Sequence, residues 1–170
     1  MTADHEAVWK AHTDGEFLHR DVAATMRTMS DDPQVVHVPT AMGGRGSKDV
    51  RSFYTSYFVG LNPEDFRIEL ISRTVGVERI VDEMVVSFTH DIEVPWILPG
   101  VAPTGRPVEI PVIAIVGLRD GLIDSEHIYW DQASVFAQVG LLDIAALPAL
   151  GAEQAEVVRD RNARLNTLAR

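Results

Sequence analysis

The chain has 170 residues, of which 46% are hydrophobic and 24% charged, and it contains no cysteine. This composition predicts one folded domain with a substantial core, and it excludes disulfides and metal sites with thiolate ligands. The formal charge of −10 disfavours nucleic acid and anionic membranes as partners. The longest apolar run, residues 110–118, is shorter than the ~20 residues of a membrane span. Because residues 1–10 also do not resemble a signal peptide, we expect a cytoplasmic protein.

The first third of the chain has helical periodicity, because apolar residues recur at spacings of three to five from Val8 to Met29. One long helix or two short ones fit this pattern. The segment 31–33 is predicted to end the helical region, and a short β-rich run, residues 35–39, follows it. A further helix is predicted over about residues 48–59, with an aromatic stripe that needs a partner.

From Phe66 the hydrophobic period changes to two, which predicts strands over residues 67–77 and 80–94. The loop that follows is rich in proline yet too apolar for an ordinary solvated loop, so we expect it to cover another part of the molecule. A hairpin is predicted over residues 108–132, because Asp-Gly between two β-rich runs favours a tight primed turn. With a last helix over residues 152–169, the pattern predicts an α+β domain whose helices pack on one face of a curved antiparallel sheet.

The hairpin register predicts which side chains share a face. If Asp120 and Gly121 are the only loop residues, Val112 lies opposite Tyr129 and Ile110 lies opposite Asp131. His127, Tyr129 and Asp131 would then stand among aliphatic neighbours, a combination typical of a ligand pocket. Both faces of the first hairpin strand are apolar, so we expect the outer face of the sheet to pair with a second copy of the chain in a homodimer.

Asp131 is the candidate base in this prediction, because an aliphatic pocket desolvates a carboxylate. His127 is ~13 Å away along the strand and cannot bond to it directly. His90, at the end of the preceding strand, is therefore the first choice for a second polar group. His5, His12 and His19 recur every seven residues, about 10 Å apart on a helix, so we expect a solvated helix face there and no metal site.

Four segments together resemble one known family. They are the glycine-to-aromatic stretch 46–54, the loop 103–108, the turn 119–123, and the segment 126–131 with Gln138-Val139-Gly140-Leu141 after it. In this order they resemble the SnoaL-like polyketide cyclase group of the nuclear-transport-factor-2-like superfamily. The resemblance implies a cone-shaped α+β fold, in which a curved antiparallel sheet wraps around N-terminal helices. We assign the SnoaL-like domain to residues 1–143 and a C-terminal helical extension to residues 144–170.

The resemblance places the family's catalytic aspartate at Asp131. The expected function is a cofactor-independent acid–base enzyme of cyclase, isomerase or lyase type that acts on a small apolar carbonyl compound. Asp131 would remove a proton next to the carbonyl, His90 or Tyr129 would stabilise the oxyanion, and His127 would relay the proton. The predicted substrate-binding residues are Trp96, whose loop would form a lid, and Tyr54, Tyr57, Phe58, Phe88, Val112 and Ala114.

Two alternatives stay open from the sequence alone. The first is an epoxide or ester hydrolase, in which Asp131 and a histidine activate a water molecule. The second is a protein without catalytic activity that binds a hydrophobic small molecule. In all three cases we expect a small apolar organic ligand, no cofactor, no metal, no nucleic acid and no membrane.

Overall fold

A computed structural model describes residues 5–169 and shows an α+β fold. Its helices are α1 (His5–Thr13), α2 (Val22–Arg27), α3 (Gly46–Phe53), α4 (Gln132–Gln138) and α5 (Glu153–Arg159), and π-helical turns follow α1 over Asp14–Leu18 and α3 over Tyr54–Phe58. Its strands are β1 (Met29–His37), β2 (Met42–Arg45), β3 (Arg67–Val75), β4 (Arg79–Thr89), β5 (Pro107–Arg119) and β6 (Leu122–Trp130). The α+β class predicted from the sequence is therefore confirmed.

The six strands form one sheet in the order β2-β1-β6-β5-β4-β3. All neighbouring strands are antiparallel except β1 and β6, which run parallel, so the sheet is mixed rather than purely antiparallel. Strand β1 also begins earlier than predicted and includes the segment 31–33. A register shift between Met29 and Gln34 explains this difference, because the acidic residues and Pro33 lie in an irregular stretch without ladder pairing.

One end of the sheet's inner face is closed by the apolar loop after β4, in which Val94, Trp96, Ile97 and Leu98 are all buried. Polar side chains from three other parts of the chain hold this loop. Thr40 donates to the Trp96 carbonyl at 2.9 Å, Gln132 donates to the Ile97 carbonyl at 2.8 Å, and the Trp96 indole donates to Asn62 at 2.9 Å. The prediction that this loop covers other residues is confirmed.

The predicted hairpin turn is confirmed, but the predicted register is wrong. Asp120 and Gly121 have φ angles of 53° and 79°, as a primed turn requires. Leu118 pairs with Ile123, whereas Gly117 pairs with Ser125, so residue 124 is an extra residue that forms a β-bulge. A bulge shifts the pairing by one position and turns every later side chain of the strand to the other face.

The bulge lies next to the pair formed by Gly117 and Ser125. A Cβ atom at position 117 would lie 2.4 Å from Oγ of Ser125, and a rotation of the serine side chain would relieve this contact. The side chain of the extra residue, Asp124, is held by hydrogen bonds from Ser30 at 3.0 Å and from Arg119 at 2.8 Å. These contacts stabilise the bulge.

The last helix is shorter than predicted and lies on the outer face of the sheet. Helix α5 ends at Arg159, where the Asp160 carboxylate accepts the Asn162 amide at 2.8 Å and so favours a turn. Arg159 bonds Glu69 and Glu109 at 2.6 Å each, and both glutamates point away from the core. The outer face is thus partly covered by this chain itself, and the homodimer stays a prediction. Between residues 5 and 169, the structure contains no helix with the length and apolarity of a membrane span.

Candidate active site

A cavity of about 300 Å³ lies on the inner face of the sheet. Its apolar lining consists of Trp9, Phe17, Leu18, Phe58, Phe66, Ile68, Leu70, Met84, Val86, Trp96, Val112, Ala114 and Ile128, and its polar lining consists of Thr13, Asp14, Glu16, His37, Arg73, Asp82 and Glu126. Leu18 and Leu70 are 69% and 48% exposed, whereas His37 and Glu126 are 2% and 3% exposed. The cavity therefore opens beside the two leucines and ends at the histidine and the glutamate. An apolar cavity with a few convergent polar groups is typical of a small-molecule site.

Four buried polar side chains meet at the closed end of this cavity. Nε2 of His12 lies 3.0 Å from Oε1 of Glu126 and 3.3 Å from Oε1 of Glu16. The Tyr54 hydroxyl donates to the same Glu126 oxygen at 3.1 Å, and its oxygen lies 3.2 Å from His12 Nε2. Two carboxyl groups, an imidazole and a phenol thus share one hydrogen-bonded cluster, which we call the His12 cluster.

The two carboxyl groups of the cluster have opposite acid–base properties. Burial raises the pKa of Glu16 above its ordinary value and outweighs the attraction of His12. Burial acts on Glu126 in the same direction, but the charge and hydrogen bond of His12 and the bond from Tyr54 lower the pKa of Glu126 below its ordinary value. Glu16 is therefore the weaker acid of the two carboxyl groups, and Glu126 is the stronger one.

His12 carries the balancing positive charge. Burial alone would lower its pKa, but the charges and hydrogen bonds of Glu126 and Glu16 raise it to about 10. The Thr28 hydroxyl donates to the Thr25 carbonyl at 2.7 Å, so its oxygen accepts the proton on Nδ1 of His12, also at 2.7 Å. The ring is thereby held with Nε2 toward the two glutamates. Trp9 stacks on the imidazole, with 5.5 Å between the two ring centroids.

His37 is a second histidine at the closed end, and it is uncharged. Its ring lies among aromatic side chains, with centroids 4.9 Å from Trp96, 5.2 Å from Phe53 and 5.3 Å from Phe58. Burial lowers its pKa to about 4, against the attraction of Glu126. A neutral imidazole in a cavity wall can donate or accept one hydrogen bond without adding charge.

A second polar group lies nearer the mouth of the cavity. Arg73 donates from Nε and Nη2 to the two oxygens of Asp82, both at 2.7 Å, and the Trp9 indole donates to Asp82 Oδ2 at 2.8 Å. Asp82 is 1% exposed. This Arg73–Asp82 pair links strands β3 and β4 to helix α1.

His12, Glu16 and Glu126 also form the one group found within residues 5–169 whose spacing would suit a metal ion, because their ligand atoms all lie within 4.8 Å of one another. The same nitrogen and oxygens already satisfy one another as hydrogen-bonding partners at 3.0 and 3.3 Å. We therefore interpret the cluster as a proton-sharing site.

The predicted catalytic residues do not meet in this cavity. Because of the bulge, Val112 pairs with Trp130 instead of Tyr129, so the expectation that His127, Tyr129 and Asp131 face the cavity is wrong. Tyr129 is 40% exposed. Asp131 is an exposed N-cap of α4 that accepts the Ala133 amide at 2.9 Å and the Gln154 side chain at 2.6 Å.

His90 also lies apart from the cavity lining, although it is fully buried. Its Nδ1 atom lies 3.1 Å from the Thr104 hydroxyl oxygen, and its carbonyl accepts the amides of Thr104 and Gly105. Burial lowers its pKa. These contacts place His90 at the base of the loop that covers the sheet, where it connects the two ends of that loop.

The predicted substrate-binding residues divide into three groups. Trp96, Phe58, Val112 and Ala114 line the cavity. Tyr54 is buried behind the lining and bonds the cavity residue Glu126. Phe88 packs on the lining residue Phe66 with centroids 6.0 Å apart, and Tyr57 is 45% exposed, so neither forms part of the cavity wall.

Four residues at the closed end of the cavity were not predicted from the sequence as site residues: His12, Glu16, His37 and Glu126. The prediction that His12 belongs to a solvated helix face is wrong, because its side chain is completely buried. One signal was available: His12 shares the apolar helix stripe with Trp9 and lies four positions before Glu16, so both face the same side. For Glu126 the signal was Gly117, since a glycine inside a strand pattern indicates a bulge.

Comparisons with known proteins agree with the observed fold. The sequence profile of the SnoaL-like domain matches residues 9–126, whereas no curated protein matches the sequence significantly. AclR from Streptomyces galilaeus has 19% identity and a TM-score of 0.62, with 84% of this chain and 89% of that chain covered. A structure named for the SnoaL-like polyketide cyclases, from Jannaschia sp. CCS1, has 16% identity and a TM-score of 0.65, with 82% and 93% covered.

A third solved structure has a ketosteroid isomerase-like fold, comes from Catenulispora acidiphila and is complexed with trimethylamine. It has 18% identity and a TM-score of 0.55, with 84% of this chain and 96% of that chain covered. These likenesses confirm the predicted cone fold, in which a curved sheet wraps around the N-terminal helices. Because the family profile spans most of the chain, the protein belongs to the SnoaL-like domain family.

Proposed function

We propose that this protein is a cofactor-independent acid–base enzyme, of cyclase or isomerase type, that acts on a small apolar carbonyl compound. The observation that carries the proposal is the pair of carboxyl groups in one cavity whose pKa values are shifted in opposite directions. Such a pair supplies a proton donor and a proton acceptor at the same pH. The solved structure with bound trimethylamine is consistent with a small organic ligand in this fold.

In the proposed reaction, Glu126 removes a proton from the carbon next to the substrate carbonyl. Its lowered pKa favours the carboxylate form. The bonds from His12 and Tyr54 both go to Oε1, so Oε2 is not engaged by either donor. Glu16 donates a hydrogen bond from its carboxylic acid to the carbonyl oxygen as negative charge develops there. In a cyclase, the enolate then attacks a second carbonyl carbon of the same substrate, the C=O π bond of that carbonyl opens, and the new alkoxide takes the proton from Glu126. In an isomerase, a conjugated enolate takes that proton from Glu126 at another carbon.

The surroundings favour this chemistry in two ways. The apolar walls exclude water, which strengthens electrostatic interactions between the carboxyl groups and the substrate. His12 is charged and fixed by Thr28 and Trp9, so its positive charge is in place before the oxyanion forms and needs no reorganisation. We assign His37 the role of a neutral hydrogen-bonding partner for the substrate.

The test is hydrogen–deuterium exchange of 2-tetralone in D₂O, followed by NMR. We expect the protein to accelerate exchange next to the carbonyl, and Glu126→Gln to lose roughly 10²- to 10⁴-fold of that acceleration. Glu16→Gln keeps an amide donor in place of the acid, so we expect a smaller loss. Thermal melting of each variant controls for folding.

Three outcomes discriminate between the functions. Exchange at the wild-type rate in a folded Glu126→Gln variant would contradict the proposed mechanism. Incorporation of ¹⁸O from solvent water into the hydrolysis product of an epoxide or an ester would favour the hydrolase. A binding protein would be favoured if the protein retains apolar ketones tightly without accelerating their hydrogen–deuterium exchange, and if Glu126→Gln binds these ketones with the wild-type affinity.

A further inference from the structure

Arg73 lines the cavity, yet the proposed acid–base chemistry does not use it. A guanidinium group carries five N–H donors, and two of them are bonded to Asp82. Nη1 lies 3.9 Å from a carboxylate oxygen of Glu6, which is too long for a hydrogen bond. Three donors of a cavity-lining cation are therefore not used by any hydrogen bond between residues 5 and 169.

The guanidinium group is held rigidly in place. Both bonds to Asp82 are 2.7 Å long, and Asp82 is fixed in turn by the Trp9 indole at 2.8 Å. Because one edge of the guanidinium group is held by Asp82, its other edge points in a constant direction. This lowers the entropy lost when a ligand oxygen binds to that edge.

The sheet register places Arg73 at the mouth side of the cavity and away from the His12 cluster. Arg73, Asp82, Ala114, Ile128 and His37 pair in sequence across five strands, so they occupy one row. Arg73 is on the edge strand β3 and Glu126 is on β6, three strand spacings away, which corresponds to about 14 Å along the sheet. The side chain of Arg73 is 24% exposed, and Leu70 on the same strand is one of the exposed residues at the mouth.

The charges around the cavity allow one more negative group. Glu126 is balanced by His12, and Asp82 is balanced by Arg73. Glu6 also lies 3.9 Å from Nη1 of Arg73, but its side chain is 61% exposed, so solvent screens its charge. Asp14 is the remaining acidic residue of the cavity lining outside the His12 cluster, and it is paired with Lys10. An acidic ligand group at the mouth would keep part of its hydration, so its desolvation would be incomplete and solvent would screen its repulsion by Glu6.

We propose that the free edge of Arg73 is a substrate-binding subsite for an acidic oxygen group, such as a carboxylate or a phenolate, located on the substrate far from its reacting carbonyl. This inference rests on the proposed function for the orientation of the substrate. The carbonyl end lies at the His12 cluster, the apolar body lies along Ala114 and Ile128, and the acidic end accepts hydrogen bonds from Arg73. The subsite thereby selects apolar carbonyl compounds that carry a distal acidic group.

The test is calorimetric binding of naphthalene-2-carboxylate and of naphthalene-2-carboxamide, which has the same shape but no charge. We expect the wild-type protein to bind the carboxylate at least about fivefold more tightly. The double variant Arg73→Gln/Asp82→Asn replaces the ion pair by a neutral pair, and there we expect the preference to fall below about twofold. A matched double variant on the outer face, Arg159→Gln/Glu69→Gln, should keep the wild-type preference.

A preference that is absent from the wild type, or that survives in Arg73→Gln/Asp82→Asn, would overturn the subsite. If this variant does not fold, nuclear Overhauser contacts of the bound carboxylate in the wild type decide. Contacts with the methyl groups of Leu70 support the subsite, whereas contacts confined to Ile128 at the closed end overturn it. The outcome is independent of catalysis, because a failure of the proposed function would show instead as unchanged deuterium exchange in Glu126→Gln.

Discussion

The side chains of His12 and Glu126 form a buried ion pair of 3.0 Å between the first helix and the last strand. The pair joins the helical layer to the sheet at the closed end of the cavity. Because the imidazole is also within reach of Glu16, a change at any one of these residues redistributes the same protons. The chemistry of the cavity therefore depends on how His12 is held.

Thr28→Val tests that dependence. Valine has nearly the shape of threonine but cannot accept the proton on Nδ1 of His12, so a charged ring would keep one unsatisfied buried donor. We expect a loss of about 1–3 kcal/mol in the free energy of unfolding and a fall in the pKa of His12 from its value of about 10. Imidazole ¹⁵N NMR across a pH titration measures the second effect.

Thr28→Ser is the matched control, because it restores the hydroxyl group. We expect it to return the His12 titration close to that of the wild type. An identical His12 titration in Thr28→Val and in the wild type would show that the threonine does not control the charge of the ring.

His37 should make the protein less stable in weak acid. Its folded-state pKa of about 4 lies below the ordinary 6.5, so the unfolded chain binds a proton more readily than the folded one. The stability from the neutral ring is present above pH 6.5 and is lost as the pH falls toward 4. Between pH 6.5 and 4.5 we expect a loss of about 2 kcal/mol in the free energy of unfolding.

The replacement His37→Phe keeps an aromatic ring among Trp96 and Phe58 and removes the titration. Urea unfolding at several pH values should show a clearly smaller loss between pH 6.5 and 4.5 in this variant. The part that remains comes from His90, whose pKa is also lowered by burial. The lowered pKa of Glu126 acts only below about pH 4.5, so it does not obscure this window. An equally steep loss in His37→Phe would assign the acid sensitivity to other groups.

Asp82 should be important for stability. The change Asp82→Asn removes the negative charge between Arg73 and the Trp9 indole, and it leaves a partly buried cation without its partner. We expect a loss of about 2–3 kcal/mol in the free energy of unfolding, measured by urea denaturation. Glu69→Gln, which weakens the exposed pair with Arg159, is the matched control and should change the stability by less than about 1 kcal/mol. Equal effects in the two variants would contradict the structural role of the buried pair.

The class of the fold followed from periodicity and turn chemistry. The period-two runs gave the strands, and the Asp120-Gly121 turn gave the hairpin. These are local signals, because they depend only on neighbouring residues. The parallel pairing of β1 with β6 is a long-range feature, and nothing in either strand alone distinguishes it from an antiparallel pairing.

The candidate site was harder to predict because one residue decides which face of β6 lines the cavity. Without the bulge at residue 124, Tyr129 and Asp131 would face inward; with it, Glu126 and Ile128 do. The cluster also needs His12 from a helix, and its burial depends on three-dimensional packing against Trp9 and Thr28. The sequence does contain a helical stripe with a histidine in it, but the partners of that histidine become visible only in the fold.

Asp131 provides the sharpest contrast between the predicted and the observed site. Its carboxylate caps helix α4 and bonds Gln154, outside the cavity. Asparagine is also a good N-cap, so we expect Asp131→Asn to retain both the melting temperature and the deuterium exchange of 2-tetralone. Asp131→Ala removes the cap and should destabilise the protein by about 1 kcal/mol without changing the exchange rate per folded molecule. A loss of exchange in folded Asp131→Asn would instead place the reaction at the end of β6 and contradict the assignment of the base to Glu126.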